Sequence, residues 1–159
     1  MDIQNWIHIF ETKIMELERE DHWTLEYDDS IEPDSAINGW KPYIKNSTAR
    51  FACSMCSRTW PSNRVMVLFH MRLIEAEGTV KVRCFRQNCK RCTNAPMVNP
   101  SFSTENINIF LEKLMEKIRI KCYHEDLGPV NRDFIHETVR NPHEPKHCEA
   151  CIKGICTRN

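Results

Sequence analysis

The chain has no long apolar run: no window of its 159 residues approaches the roughly 18 consecutive apolar residues of a membrane-spanning helix. Its first twenty residues, MDIQNWIHIFETKIMELERE, lack the basic start and unbroken apolar core of a secretory leader. Glycine is scarce at four residues, too few for the many tight turns of an all-β barrel. Net charge is also missing. Lys and Arg total 22 and Asp and Glu total 22, which argues against both an acidic disordered tail and a globally basic nucleic-acid binder.

Cysteine, by contrast, is plentiful, with nine residues, an odd total. In a chain that is not exported the thiols stay reduced, so clustered cysteines read as metal ligands and not as disulfides. The zero net charge hides an asymmetry. Residues 1–40 carry eleven acids against Lys13 and Arg19, whereas residues 41–92 carry eleven bases against Glu75 and Glu77. Pairing within the fold is the simplest use of this separation, and a basic surface for an anionic partner is the alternative.

Ile3, Trp6, Ile7, Phe10, Ile14 and Leu17 recur at helical spacing and predict an amphipathic helix ending near Glu20. Residues 21–47 read as an extended connector, with turn signals at Pro33, Asn38-Gly39 and Pro42 and anchors such as Trp23, Trp40 and Tyr43. Residues 50–52 predict a short strand leading into Cys53, and 64–76 and 78–87 predict two strands joined near Glu77-Gly78. In the second of these, Val80, Val82 and Cys84 share one face, and Lys81, Arg83 and Phe85 share the other. Ser103 or Thr104 can cap a second helix whose stripe is Ile107, Phe110, Leu111, Leu114 and Ile118. Residues 123–147 lack periodicity and read as a loop. The fold class expected is α+β: a small zinc-stapled domain with an antiparallel hairpin or sheet core flanked by two main helices. Residues 1–47 would pack on a zinc-binding domain of residues 48–159.

Three CxxC pairs occur, Cys53/Cys56, Cys89/Cys92 and Cys148/Cys151. Two intervening residues let a tight turn aim both sulfurs at one ion, and soft thiolates with tetrahedral demand make zinc the default. A redox pair would need a helix N-terminus after a strand in a βαβ unit, which none of the three has. His143, Cys148, Cys151 and Cys156 can form one site within fourteen residues, leaving Cys53, Cys56, Cys89 and Cys92 for another. The rival arrangement pairs Cys53/Cys56 with Cys148/Cys151, and the local arrangement is favoured. Either way two structural Zn²⁺ ions are expected. His147 could replace His143 but, next to Cys148, would struggle to reach the same ion, and His70 reads as a satisfied core histidine. Cys84 reads as a reduced core residue with a lesser claim to replace a ligand; Cys122 and His124 could be spare ligands, with Cys122 reading better as a small apolar residue on the helix face. A catalytic zinc keeps an open position and needs an acid/base partner. Four protein ligands leave none, so a binding module is expected and not an enzyme.

The segments RFACSMCSRTW, VLFHMRL, GTVKVRCFRQNCKRC and HCEACIKGIC, together with the N-terminal ELEREDHWTLEYDDSIEP, resemble the receptor-transporting protein family and its 3CxxC-type zinc finger. The short form is most similar to the family's interferon-responsive branch. The resemblance implies a zinc-dependent adaptor or chaperone that promotes folding, export and surface display of G-protein-coupled receptors, among them odorant, taste and opioid receptors. It places the family's motif ligands at Cys53, Cys56, Cys89, Cys92, His143, Cys148, Cys151 and Cys156. It also implies a C-terminal membrane anchor with the zinc domain on the cytoplasmic face of ER, Golgi or plasma membrane. This chain stops three residues after Cys156, so a shortened, soluble, cytoplasmic form is expected. The competing reading is an innate-immune effector that binds viral or single-stranded RNA through Arg83, Arg86, Lys90 and Arg91, with Phe85 and Trp60 stacking on bases.

Overall fold

In a computed structural model, which describes residues 3–33, 38–127, 134–135, 139 and 143–156, helix α1 (Ile3–Met15) leads into four strands. These are β1 (His22–Tyr27), β2 (Lys41–Ala52), β3 (Thr59–Ile74) and β4 (Glu77–Cys84). Helix α2 (Thr104–Lys121), a 3₁₀ turn (Pro145–His147) and the short helix α3 (Glu149–Ile152) follow. The strands form one sheet in the order β1-β4-β3-β2. The β2–β3 and β3–β4 pairings are antiparallel, and the β1–β4 pairing is parallel. The expected α+β class with two main helices is present; the parallel edge strand was not anticipated.

Alternation along the central strand divides the core. Val67, Phe69 and Met71 join Val80, Val82 and Cys84 against α1 and α2, on the face that also buries Trp6, Phe10 and Phe110. Met66, Leu68 and Phe85 belong to a smaller cluster on the other side, completed by Ile31, Cys148 and Ala150. Helix α2 begins at the expected cap, where the Ser103 side chain accepts from the Asn106 N–H at 3.1 Å. Its stripe is buried, and so are Asn106, Ile109 and Met115.

Several boundaries differ from the sequence reading. Helix α1 stops at Met15, short of Glu20, although Leu17 remains buried. Residues 21–47, read as a connector, contain β1 and the start of β2, because their partners lie far along the chain. Trp23 and Trp60 are buried anchors, and Trp40 is half-buried with Arg72 over its ring at 4.2 Å. Strand β3 starts at Thr59 and includes Pro61; this is tolerated because β4 pairs only from Val67 onward. His70 is buried but only half satisfied, since its Nε2 has no hydrogen-bond partner. The loop expected at 123–147 lies partly outside the described residues.

The edge pairing depends on one glycine. Gly78 faces Trp23, and a Cβ at that position would lie 2.2 Å from the indole ring. The ring cannot retreat easily, because it is buried and its Nε1 donates to the Tyr123 hydroxyl at 3.0 Å. Gly78→Ala should therefore lower unfolding free energy by about 1–3 kcal/mol, the usual range for overpacking, as measured by urea denaturation. An unchanged denaturation midpoint would show that β1 is free to move.

Candidate metal centres

Each metal knuckle grows out of a strand end. After β2, Cys53 receives the Met55 N–H on its sulfur at 3.3 Å, and its own N–H donates to the Arg58 carbonyl at 2.8 Å. Ser57, just past Cys56, takes a left-handed φ of 62°, which turns the chain back into β3. Past β4 the second knuckle repeats the plan with Cys89 and Cys92, and Asn94 supplies the left-handed residue at φ 54°. The hairpin β3–β4 brings the two knuckles together.

The four sulfur atoms of Cys53, Cys56, Cys89 and Cys92 all lie within 4.8 Å of one another. Cys53 and Cys92 are 3.8 Å apart, as are Cys56 and Cys89. A tetrahedral zinc with bonds of about 2.3 Å requires sulfur–sulfur edges of roughly 3.8 Å, so this cage fits the ion. The arrangement joins the first two pairs, not Cys53/Cys56 with Cys148/Cys151. The surroundings also favour anionic sulfur. Burial works against a thiolate at Cys89, but the Arg91 N–H and the Arg58 guanidinium outweigh it and bring the thiol down to about 6. The N–H groups of Cys56 and Met55 lower Cys53 in the same sense. Cys92 is instead pushed up to about 12, mainly by its contact with Cys56. Four sulfurs this close cannot all ionise without a cation between them.

The second group is His143, Cys148, Cys151 and Cys156, whose ligand atoms also lie within 4.8 Å of one another. The His143 Nε2 is 3.2 Å from the Cys151 sulfur and 3.8 Å from that of Cys156, spanning the roughly 3.6 Å edge of a mixed N/S zinc tetrahedron. Here α3 is a single turn that carries Cys151, with Cys148 as its N-cap, and Gly154 at φ 72° follows it. That reversal lets Ile155 and Cys156 donate back to the Ala150 carbonyl, which returns the Cys156 sulfur to the group. Burial pushes Cys148 up and Cys156 up to about 12, so an ion entering here displaces protons from both. Two structural zinc ions fit the two groups.

Residues between the ligands hold the centres to each other. Gln87 bridges both Val98 and Cys148, and the Asn88 N–H donates to the His147 carbonyl at 3.0 Å. His147 lies outside the ligand group and sets its Nδ1 2.8 Å from Asn88 Oδ1. The sequence left it as a weaker alternative to His143 and gave no sign of this bridging role. Glu149 is nearly buried and receives the Arg86 backbone N–H at 3.2 Å and the Arg86 guanidinium at 2.7 Å. Burial opposes its charge, but those two hydrogen bonds prevail and hold the carboxyl below its ordinary range.

The proposed partner-binding bases separate on this frame. Arg83 is 4% exposed and bound to the Ile31 carbonyl, Glu32 and Glu149, so it belongs to the interior and not to a binding surface. Arg86 is committed to Glu149, while Lys90 is partly exposed and Arg91 exposed. Phe85 is 2% exposed beneath Arg83 and Trp60 is 9% exposed, which removes both rings proposed for base stacking. The acidic head does answer the basic segment: Lys81 meets Asp28 at 3.0 Å and Arg83 meets Glu32 at 3.3 Å. Cys84 is a core thiol pushed well up by burial, and Cys122 and His124 stand at the end of α2 outside both groups.

Among known proteins, a family described as a zinc-binding domain, the 3CxxC zinc ribbon, matches residues 46–154. The chain is 36% identical to receptor-transporting protein 3 of Mus musculus, over 99% of this chain and 34% of that protein. It is 34% identical to receptor-transporting protein 2 of Mus musculus (94% and 69% covered) and 30% identical to receptor-transporting protein 4 of Homo sapiens (98% and 65% covered). The chain thus spans from about a third to about two thirds of the length of these relatives. Their similar identities do not single out the interferon-responsive branch. No solved structure matches.

Elemental analysis of the purified chain should give two zinc ions, and Cys89→Ser should reduce this to one. Chelation or acidification should release zinc and unfold the chain together, because protons compete for the same sulfurs; retention of native circular dichroism after complete zinc removal would refute a structural role. Arg83→Ala should cost about 3 kcal/mol in denaturant unfolding, as expected when a buried ion pair loses one member. A loss below ~1 kcal/mol would mean that Glu32 and Glu149 find other partners.

Proposed function

Because the chain belongs to the receptor-transporting protein family, we propose that it is a zinc-stapled adaptor in the transport of membrane receptors, holding a protein partner and catalysing no reaction. The observation that carries this reading is the closure of both metal groups. Each gathers four protein ligands, and all of those ligands except Cys156 fall within the family match at 46–154. A fully ligated zinc has no position for substrate or water, so its contribution is to shape a small surface.

G-protein-coupled receptors are the expected clients, with odorant, taste and opioid classes first, met on the cytoplasmic face of the secretory and plasma membranes. Among the described residues no helix is long and apolar enough to cross a membrane, so contact with membrane receptors would fall to the surface of the zinc domain or to sequence of the kind that extends the longer relatives. An interferon-linked antiviral role would be a property of one branch, and nothing in the fold favours it. The RNA reading loses Arg83 to the interior and both stacking rings, leaving Lys90 and Arg91 as its support.

The test is flow cytometry of an epitope-tagged receptor in cells producing this chain fused to a membrane anchor. Surface signal should rise at constant total receptor, and Cys53→Ser with Cys56→Ser should abolish the rise. No rise with any of the receptor classes above would end the transport reading.

A further inference from the structure

A cleft of about 390 Å³ lies between the two metal centres. Its walls come from the start of β3 on one side and from residues 143–147 on the other, with Gln87 and Asn88 as the floor. The floor is already satisfied. Trp60 Nε1 donates to Gln87 Oε1 at 2.9 Å, and Gln87 Nε2 donates to Ser62 Oγ at 3.1 Å. Asn88 Nδ2 donates to the Ala95 carbonyl at 2.9 Å, while its Oδ1 meets His147. Side chains locked in this way are a rigid base that asks for no hydrogen bonds from a ligand.

The cations around that base are not satisfied in the same way. Arg58, Arg64 and Lys90 line the cleft against one carboxylate, Glu144. Arg58 lies over the Trp60 ring at 4.9 Å and reaches toward the Cys89 sulfur at 3.9 Å. Arg64 and Lys90 are half-buried, yet neither side chain pairs with any acid among the described residues. By contrast, three bases on β4 and just after it, Lys81, Arg83 and Arg86, each have a carboxylate. Partly desolvated cations with no acid partner among the described residues, as Arg64 and Lys90 are, mark a place above a fixed polar floor where an outside anion gains more than it would on an open surface.

We infer that this cleft binds an acidic peptide segment of a partner protein, its carboxylates answered by Arg64 and Lys90. A nucleic-acid strand fits less well. Among the described residues the lining rings are Trp60, which is 9% exposed and covered by Arg58, and the imidazoles of His143 and His147, which are held by the metal group and by Asn88, so the cleft offers no ready stacking platform. Glu144 would repel closely spaced phosphates, whereas separated carboxylates can straddle it. The inference rests on the adaptor reading, which it deepens by naming the chemistry of the partner.

Fluorescence anisotropy on the zinc-loaded chain tests it, using a short dye-labelled peptide of alternating glutamate and leucine. Its glutamine counterpart and an oligouridine serve as comparisons. The glutamate peptide should bind and the glutamine peptide should not, and added salt should weaken the complex. Arg64→Gln with Lys90→Gln, which keeps most of each stem, should weaken it by about tenfold with zinc content unchanged. Lys45→Gln with Arg50→Gln removes the same charge from the exposed side of β2 and should leave affinity as it was. Equal binding of both peptides overturns the inference. So does an equal loss from the β2 pair, or displacement of the glutamate peptide by oligouridine at lower concentration. Because the assay contains no receptor, its failure refutes the cleft alone, and a failed surface-display assay refutes the transport reading alone.

Discussion

The guanidinium of Arg83 lies inside the protein between two carboxylates from opposite ends of the chain, Glu32 and Glu149, with the Ile31 carbonyl as a third partner. A cation so placed costs several kcal/mol in lost hydration unless every neighbour is in position. Its neighbours are therefore fixed as a set. Glu149 is the residue after Cys148 and also receives both the backbone and the side chain of Arg86, three residues before Cys89. The charge cluster thus ties the β4 strand, the acidic N-terminal segment and the second metal turn into one arrangement. The cleft between the metal centres, with its satisfied floor, exists because residues 86–88 are gripped from both sides.

The two hydrophobic clusters explain why metal is needed as well. The larger one, between the sheet and helices α1 and α2, resembles an ordinary two-layer core. The smaller one, around Leu68 and Phe85, is covered by a one-turn helix and the residues just after it, too short to persist by themselves. Four ligands within fourteen residues supply there the cross-linking that a few apolar side chains cannot. A similar logic holds at the first metal group, where two knuckles follow the ends of β2 and β4.

The metal ligands were the most legible part of the sequence, because CxxC spacing acts locally and its chemistry is nearly independent of the fold. The helical stripes of α1 and α2 were legible for a related reason: periodicity along one element reports its buried face. What escaped was long-range. Strand β1 was invisible as a strand because its partner lies beyond two intervening strands. The length of β2 was hidden by Pro42 and by polar residues such as Lys45 and Asn46, which the β3 pairing overrides. Arg83 and Arg86 looked like surface bases because their partners, Glu32 and Glu149, come from remote segments. Local alternation had placed Arg83 on the strand face opposite Val82, correctly. It could not show that this second face is also buried, under α3.

The parallel pairing of β1 with β4 has a consequence for how the chain comes together. In an antiparallel hairpin a strand meets its neighbour as soon as a short turn is made. Strand β1 cannot do so, since His22 has no ladder partner until Glu77 exists. On a growing chain the β2–β3–β4 meander can form first from nearly local contacts, while β1 pays the loop-closure entropy of a distant return. The first strand in the sequence is in this sense the last to find its place. Gly78, opposite Trp23, is the notch that receives it.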